Sequence, residues 1–125
     1  MIKILIIEDD PYVRRMYARM FGFQKFEVDM AVSGKDGLEK AQNNPPQLIL
    51  LDLMMPSMNG IEVLKKLKEN PITAKIAVII LTNVDNENTV KEAFELGARA
   101  YLVKSDFSPE AVIDEINKFI KSNIL

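Results

Sequence analysis

Two spacings alternate along the chain. Short apolar runs occupy residues 2–7, 26–31, 47–51, 76–81 and 100–103. Between them, apolar residues recur every three or four positions: Val13, Met16, Tyr17 and Met20; Ile61, Leu64 and Leu67; Val90, Ala93 and Phe94; Val112, Ile116, Phe119 and Ile120. A short apolar run predicts a strand, and the wider spacing predicts a helix with one buried face. The boundaries carry the residues that helix ends need. Asp10-Pro11 and Ser108-Pro109 read as an N-cap followed by proline at the first helical position. Ser33 caps a segment from Gly34 to Asn43, and Gly97 fits a left-handed C-cap. Asn44-Pro45-Pro46 and Asn70-Pro71 mark helix ends.

The pattern is five strand-then-helix units. It predicts an α/β fold: a doubly wound, five-stranded parallel sheet with right-handed crossovers and helices on both faces. Residues 48–51 and 76–81 are almost wholly apolar, as strands covered on both sides must be. Periodicity does not give strand order. For five strands the flavodoxin-like (βα)5 order 2-1-3-4-5 is the expectation. The 125 residues make one domain, 1–125, with no linker, repeat or low-complexity segment.

In such a sheet, ligands bind beyond the carboxyl ends of the strands. Glu8, Asp9 and Asp10 follow the first apolar run, Asp52 ends the third, Thr82 the fourth and Lys104 the fifth. Carboxylates gathered at one edge repel; two unit charges 4 Å apart cost about 4 kcal/mol at an effective dielectric of 20. A divalent cation relieves this, and Mg²⁺ suits one or two carboxylates together with a phosphate oxygen. Asp52 with a metal, an amine and a hydroxyl around it forms a phosphoryl-accepting site in which the carboxylate is the nucleophile.

Composition narrows the chemistry. There is no Cys and no His, so disulfides, thiolate metal sites, catalytic triads and phosphohistidine carriers are excluded. The net charge of −2, with no basic stripe, argues against a dedicated nucleic-acid binder. The apolar run Ile4-Leu5-Ile6-Ile7 is too short for a signal segment or a membrane span, so a cytoplasmic protein is expected.

These pieces resemble the receiver domain of two-component response regulators, over nearly the whole chain. The matching stretches are Ile4-Leu5-Ile6-Ile7-Glu8-Asp9-Asp10, Leu50-Leu51-Asp52-Leu53-Met54-Met55-Pro56-Ser57-Met58-Asn59-Gly60, Ile80-Leu81-Thr82 and Gly97-Ala98-Arg99-Ala100-Tyr101-Leu102-Val103-Lys104. The resemblance implies that Asp52 is the phosphoacceptor. Glu8 and Asp9, with Asp52 and the backbone carbonyl of Met54, would hold Mg²⁺. Thr82 and Lys104 would bind the phosphoryl group, and Tyr101 would be a switch aromatic that turns inward when Thr82 moves. The donor would be a histidine kinase or a phosphotransfer protein, and the output a protein contact involving Lys91, Glu95, Arg99 and Tyr101. No effector domain fits in this length, so a stand-alone domain, monomeric or dimerising on phosphorylation, is expected. It would act as a phosphoacceptor and not as a turnover enzyme.

Three departures from the family pattern stand out. Ser105 follows the lysine where proline is usual, so this peptide is either trans with a rearranged loop or cis at a cost of about 2.5–4 kcal/mol. Asn83 is larger than the usual residue after the hydroxyl. Met54 and Val84 are apolar where polar groups often assist hydrolysis of the acyl phosphate, which implies slow self-dephosphorylation. A pseudo-receiver that binds partners without phosphorylation is the alternative. An aspartyl phosphatase would need a second Asp at position 54, and an FMN protein a phosphate loop that Glu8-Asp9-Asp10-Pro11 does not supply. Arg14, Arg15 and Arg19 read as a solvated basic face or part of a docking surface. Met54, Met55 and Met58 cluster beside Asp52, where a donor would dock.

Overall fold

A computed structural model describes residues 1–125. The strands are β1 (Lys3–Ile7), β2 (Glu27–Ala31), β3 (Leu48–Leu51), β4 (Ala77–Thr82) and β5 (Ala100–Val103). The helices are α1 (Pro11–Gly22), α2 (Gly34–Asn43), α3 (Gly60–Glu69), α4 (Glu87–Glu95) and α5 (Pro109–Asn123). All pairings are parallel and the order is β2-β1-β3-β4-β5, as expected.

Alternation along the strands sorts the core into two layers. Leu5, Ile7, Ile49, Leu51, Val78 and Ile80 pack under α2, α3 and α4 with Val63, Leu64, Leu67 and Ala93. Ile4, Ile6, Leu48, Leu50, Ile79 and Leu81 pack under α1 and α5 with Tyr17, Phe21, Val112, Ile116 and Ile120. Burying both faces of β1, β3 and β4 explains why these strands read as unbroken apolar runs.

The caps hold the helices in register with the strands. Asp10 Oδ1 accepts from the amides of Tyr12 and Val13, and the hydroxyls of Ser33 and Ser108 accept from Asp36 and Ala111. Gly97 has φ +105°, the left-handed conformation expected of it after α4. Every peptide bond is trans. The chain after β5 turns at once into a short 3₁₀ segment, Lys104–Asp106, closed by the Phe107 amide on the Lys104 carbonyl. The peptide before Ser105 is therefore trans, the first of the two arrangements open to it.

Candidate functional site

Register brings the acidic residues together. Ile7 pairs with Leu51 across β1 and β3, and with Ala31 across β1 and β2. The ladder runs one residue further: the Asp52 amide donates to the Ile7 carbonyl at 3.1 Å and the Glu8 amide to the Ala31 carbonyl at 3.2 Å. Both carboxylates thus hang from backbone still tied to the sheet, and both are buried. Asp9 is half-buried beside them. One carboxylate oxygen from each of Glu8, Asp9 and Asp52 lies within 4.8 Å of the others. Asp10 is the α1 cap and points to solvent.

Gly60 lets this edge close. A Cβ there would lie 2.3 Å from the Asp52 carbonyl oxygen and 2.6 Å from Leu53 Cα. Its amide donates to the Leu53 carbonyl at 3.0 Å, so the start of α3 rests directly on the chain after Asp52.

Lys104 is the cation facing the carboxylates. Its Nζ lies 2.5 Å from Glu8 Oε1 and 3.5 Å from Asp52 Oδ2. Asp52 Oδ1 accepts from the Met54 amide at 3.2 Å. Glu8 Oε2 is buried with no hydrogen-bond partner. Burial pushes the Glu8 carboxyl up to about 7; Asp52 adds to this and Lys104 opposes it. Three carboxylates against one ammonium, with a buried acceptor left over, is a donor set that fits a hard cation with oxygen ligands.

Thr82 is fully buried at the end of β4, beside Val103 in register. Its hydroxyl accepts from the Val84 amide at 3.3 Å, and the Val84 carbonyl accepts from the Tyr101 hydroxyl at 2.7 Å. Tyr101 is half-buried against the layer beneath α4. Burial, then Asp85 and Asp52, raise its hydroxyl above the usual tyrosine range. Thr82 and Tyr101 are thus joined through both polar groups of one residue, a link that neither motif nor spacing signals.

Other expectations divide. Asn83 is exposed, Met54 is exposed, and Val84 packs on the core. Met55 is buried and Met58 packs partly on the same layer, so Met54 is the outward member of the trio. Lys91 and Glu95 form an exposed pair on α4. Arg99 lies at the opposite, amino end of β5, over the Phe119 ring and bonded to Asn123. The three arginines of α1 do not form one solvated face. Arg15 and Arg19 are exposed, but Arg14 is half-buried and folds back onto the Glu8–Asp9 backbone.

Comparison with known proteins identifies the family and the fold. The family model for the response regulator receiver domain matches residues 4–117. A transcriptional regulatory protein of Staphylococcus aureus, SrrA, is 37% identical over 119 residues, 95% of this chain and 48% of that protein. The chain thus spans about half the length of the curated relatives it matches. The chemotaxis protein CheY4 of Vibrio cholerae superposes with a TM-score of 0.87 at 28% identity, over 94% of this chain and 98% of that one. The response regulator Rcp1, solved in a Mn(2+)-bound form, superposes with a TM-score of 0.87 at 29% identity, over 100% of this chain and 98% of that one. The chain belongs to the response regulator receiver domain family, whose members serve phosphorylation-based two-component signalling. No helix is long and apolar enough to cross a membrane.

Proposed function

We propose that this chain accepts a phosphoryl group on Asp52 from a histidine kinase or a phosphotransfer protein, with Mg²⁺, and that the modification alters a protein-binding surface. The observation that carries this is the buried, unpartnered Glu8 Oε2 beside Asp9 and Asp52. A buried acceptor without a partner costs about 1–3 kcal/mol, so it implies a ligand that repays it. Glu8, Asp9, Asp52 and the Met54 carbonyl would hold the ion. When bound, Mg²⁺ supplies positive charge that offsets the charge of the transferring group. The similar protein Rcp1 was solved in a Mn(2+)-bound form, which favours a divalent ion as a ligand of this chain.

The chain's own groups do the rest. An Asp52 carboxylate oxygen attacks phosphorus, and the donor's phosphorus–nitrogen bond breaks to release its imidazole. Lys104, already between Glu8 and Asp52, neutralises a phosphoryl oxygen. The Thr82 hydroxyl donates its own hydrogen to another. Val84 and Tyr101 then feel any movement of Thr82 through their hydrogen bonds, so phosphorylation shifts a balance between two loop arrangements. Apolar Val84 and exposed, apolar Met54 offer no group to guide water to the acyl phosphate, which favours a long-lived phosphorylated form. This chemistry is self-modification and not substrate turnover. Such signalling belongs to the cytoplasm, and this domain would act there through contacts with other proteins.

Incubation with Mg²⁺ and a small acyl-phosphate donor, read by intact mass, tests it. One added phosphoryl group, absent from Asp52→Asn, is the expected result. No addition with any donor would instead favour a pseudo-receiver.

A further inference from the structure

Beyond the ligands themselves, one residue fastens the loop that carries two of them. The three consecutive acidic residues, Glu8, Asp9 and Asp10, each present a backbone carbonyl, and all three carbonyls end on Arg14. Its Nη1 donates to the Glu8 carbonyl at 2.9 Å and to the Asp9 carbonyl at 3.3 Å. Its backbone amide donates to the Asp10 carbonyl at 3.0 Å. The amide bond is ordinary first-turn helix geometry. The two guanidinium bonds are not, and they require the side chain to double back from the second turn of α1.

The two acidic side chains differ in what else holds them. Glu8 is buried and bonded to Lys104, so its place is secured from the side-chain end as well. Asp9 is half-buried, with no side-chain bond or ion pair to another residue of the chain. Its carboxylate is aimed by its backbone, and that backbone is held by Arg14 and by the start of α1.

We propose that Arg14 is a positioning residue: it locks the Glu8–Asp10 backbone so that the Asp9 carboxylate meets the cation held with Glu8 and Asp52. This rests on the Mg²⁺ reading given above. The charge of Arg14 makes the idea discriminating. A guanidinium close to an acidic site repels a divalent ion, so if Arg14 were only a nearby charge, its removal would tighten Mg²⁺ binding. If it sets the loop, its removal weakens binding, because partners that orient metal ligands typically contribute about tenfold or more to affinity.

The test is calorimetric Mg²⁺ titration of wild type, Arg14→Met and, as a control on the same helix, Arg15→Ala. A parallel measurement follows amide hydrogen exchange without metal. Arg14→Met is expected to bind Mg²⁺ about tenfold more weakly, as an orienting partner of the ligands should. It is also expected to exchange faster at residues 8–13, with Arg15→Ala matching wild type in both. Mg²⁺ binding by Arg14→Met that is unchanged or tighter, or exchange at residues 8–13 that stays at the wild-type rate, overturns the proposal. Should Arg14→Met not fold, Arg14→Gln carries the same expectation and the same refutation. Wild type that takes up no Mg²⁺ overturns the site reading and this inference with it. A failure confined to the Arg14 variants leaves the site reading standing.

Discussion

Lys104 and Glu8 come from opposite ends of the chain and meet as a partly buried ion pair, Nζ to Oε1, at the carboxyl edge of the sheet. The pair joins β5 to β1 across β4 and β3, and its carboxylate keeps one oxygen free of partners. Removing one member of a buried pair strands the other. Lys104→Met should therefore lower stability by roughly 1–3 kcal/mol, the lower part of the range because Glu8 is free to take up a proton. The same variant should accept phosphate from a small donor at least tenfold more slowly while binding Mg²⁺ no less tightly, since a competing cation has gone. Urea unfolding, mass-resolved phosphorylation and Mg²⁺ titration check the three parts. Weaker Mg²⁺ binding would mean that Lys104 supports the ion's site and does not compete with it.

The raised Glu8 carboxyl makes metal-free stability depend on pH in a defined direction. Its folded-state value of about 7 lies above the ordinary 4.5. The folded state therefore binds the proton more tightly than the unfolded chain. The resulting stability is fully present below about 4.5 and is lost as pH rises through about 7. The loss is on the order of 3 kcal/mol, taking 1.36 kcal/mol per pH unit. A bound cation reverses the preference by favouring the ionised carboxylate. Urea titrations in a chelator should show stability falling between pH 5 and 8, with Mg²⁺ adding more at pH 8 than at pH 5. An Mg²⁺ increment independent of pH would separate Glu8 from the ion.

Gly60 is required by contact, not by backbone freedom. In Gly60→Ala the new methyl would meet the Asp52 carbonyl and Leu53 Cα, both backbone atoms unable to turn aside. The chain after Asp52 or the start of α3 must move. A stability loss of about 2–4 kcal/mol is expected, as for severe overpacking. Slower phosphorylation of Asp52 should accompany it. Wild-type stability and rate in this variant would show that the β3–α3 connection has slack.

Much of this architecture is legible in the amino-acid sequence. Apolar runs bounded by Asp10-Pro11, Ser33, Asn70-Pro71 and Ser108-Pro109 mark both spacing and ends, because caps and prolines act locally. The edge residues follow from the parallel sheet, since every strand of such a sheet points the same way. What could not be read is what depends on side-chain paths. Glu8 and Asp9 are adjacent acids in sequence, yet only Glu8 is buried, because successive residues leaving a strand point to different sides. Arg14, Arg15 and Arg19 look alike as a string, and only the fold-back of Arg14 separates it from its neighbours. Likewise, Met54 and Met55 differ only in which one meets the core.

The Tyr101–Val84 bond offers a test of the switch that leaves the acidic edge untouched. Tyr101→Phe removes one hydrogen bond and keeps the ring, so the stability loss should be near 1 kcal/mol. The Val84 carbonyl would lose its partner, and the loop from Thr82 to the α4 cap at Asn86 would be held by the Thr82–Val84 bond and the cap alone. Amide exchange across residues 83–86 should quicken. Phosphorylation by a small donor should stay within about threefold of wild type, because Glu8, Asp9, Asp52 and Lys104 are unaltered; a threefold change is well under 1 kcal/mol of barrier. If Tyr101 transmits the state of Thr82, the exchange difference between phosphorylated and unphosphorylated protein at residues 83–86 should shrink in the variant. A difference as large as in wild type would show that Tyr101 packs against the loop without reporting on it, leaving Thr82 and Val84 to carry the change.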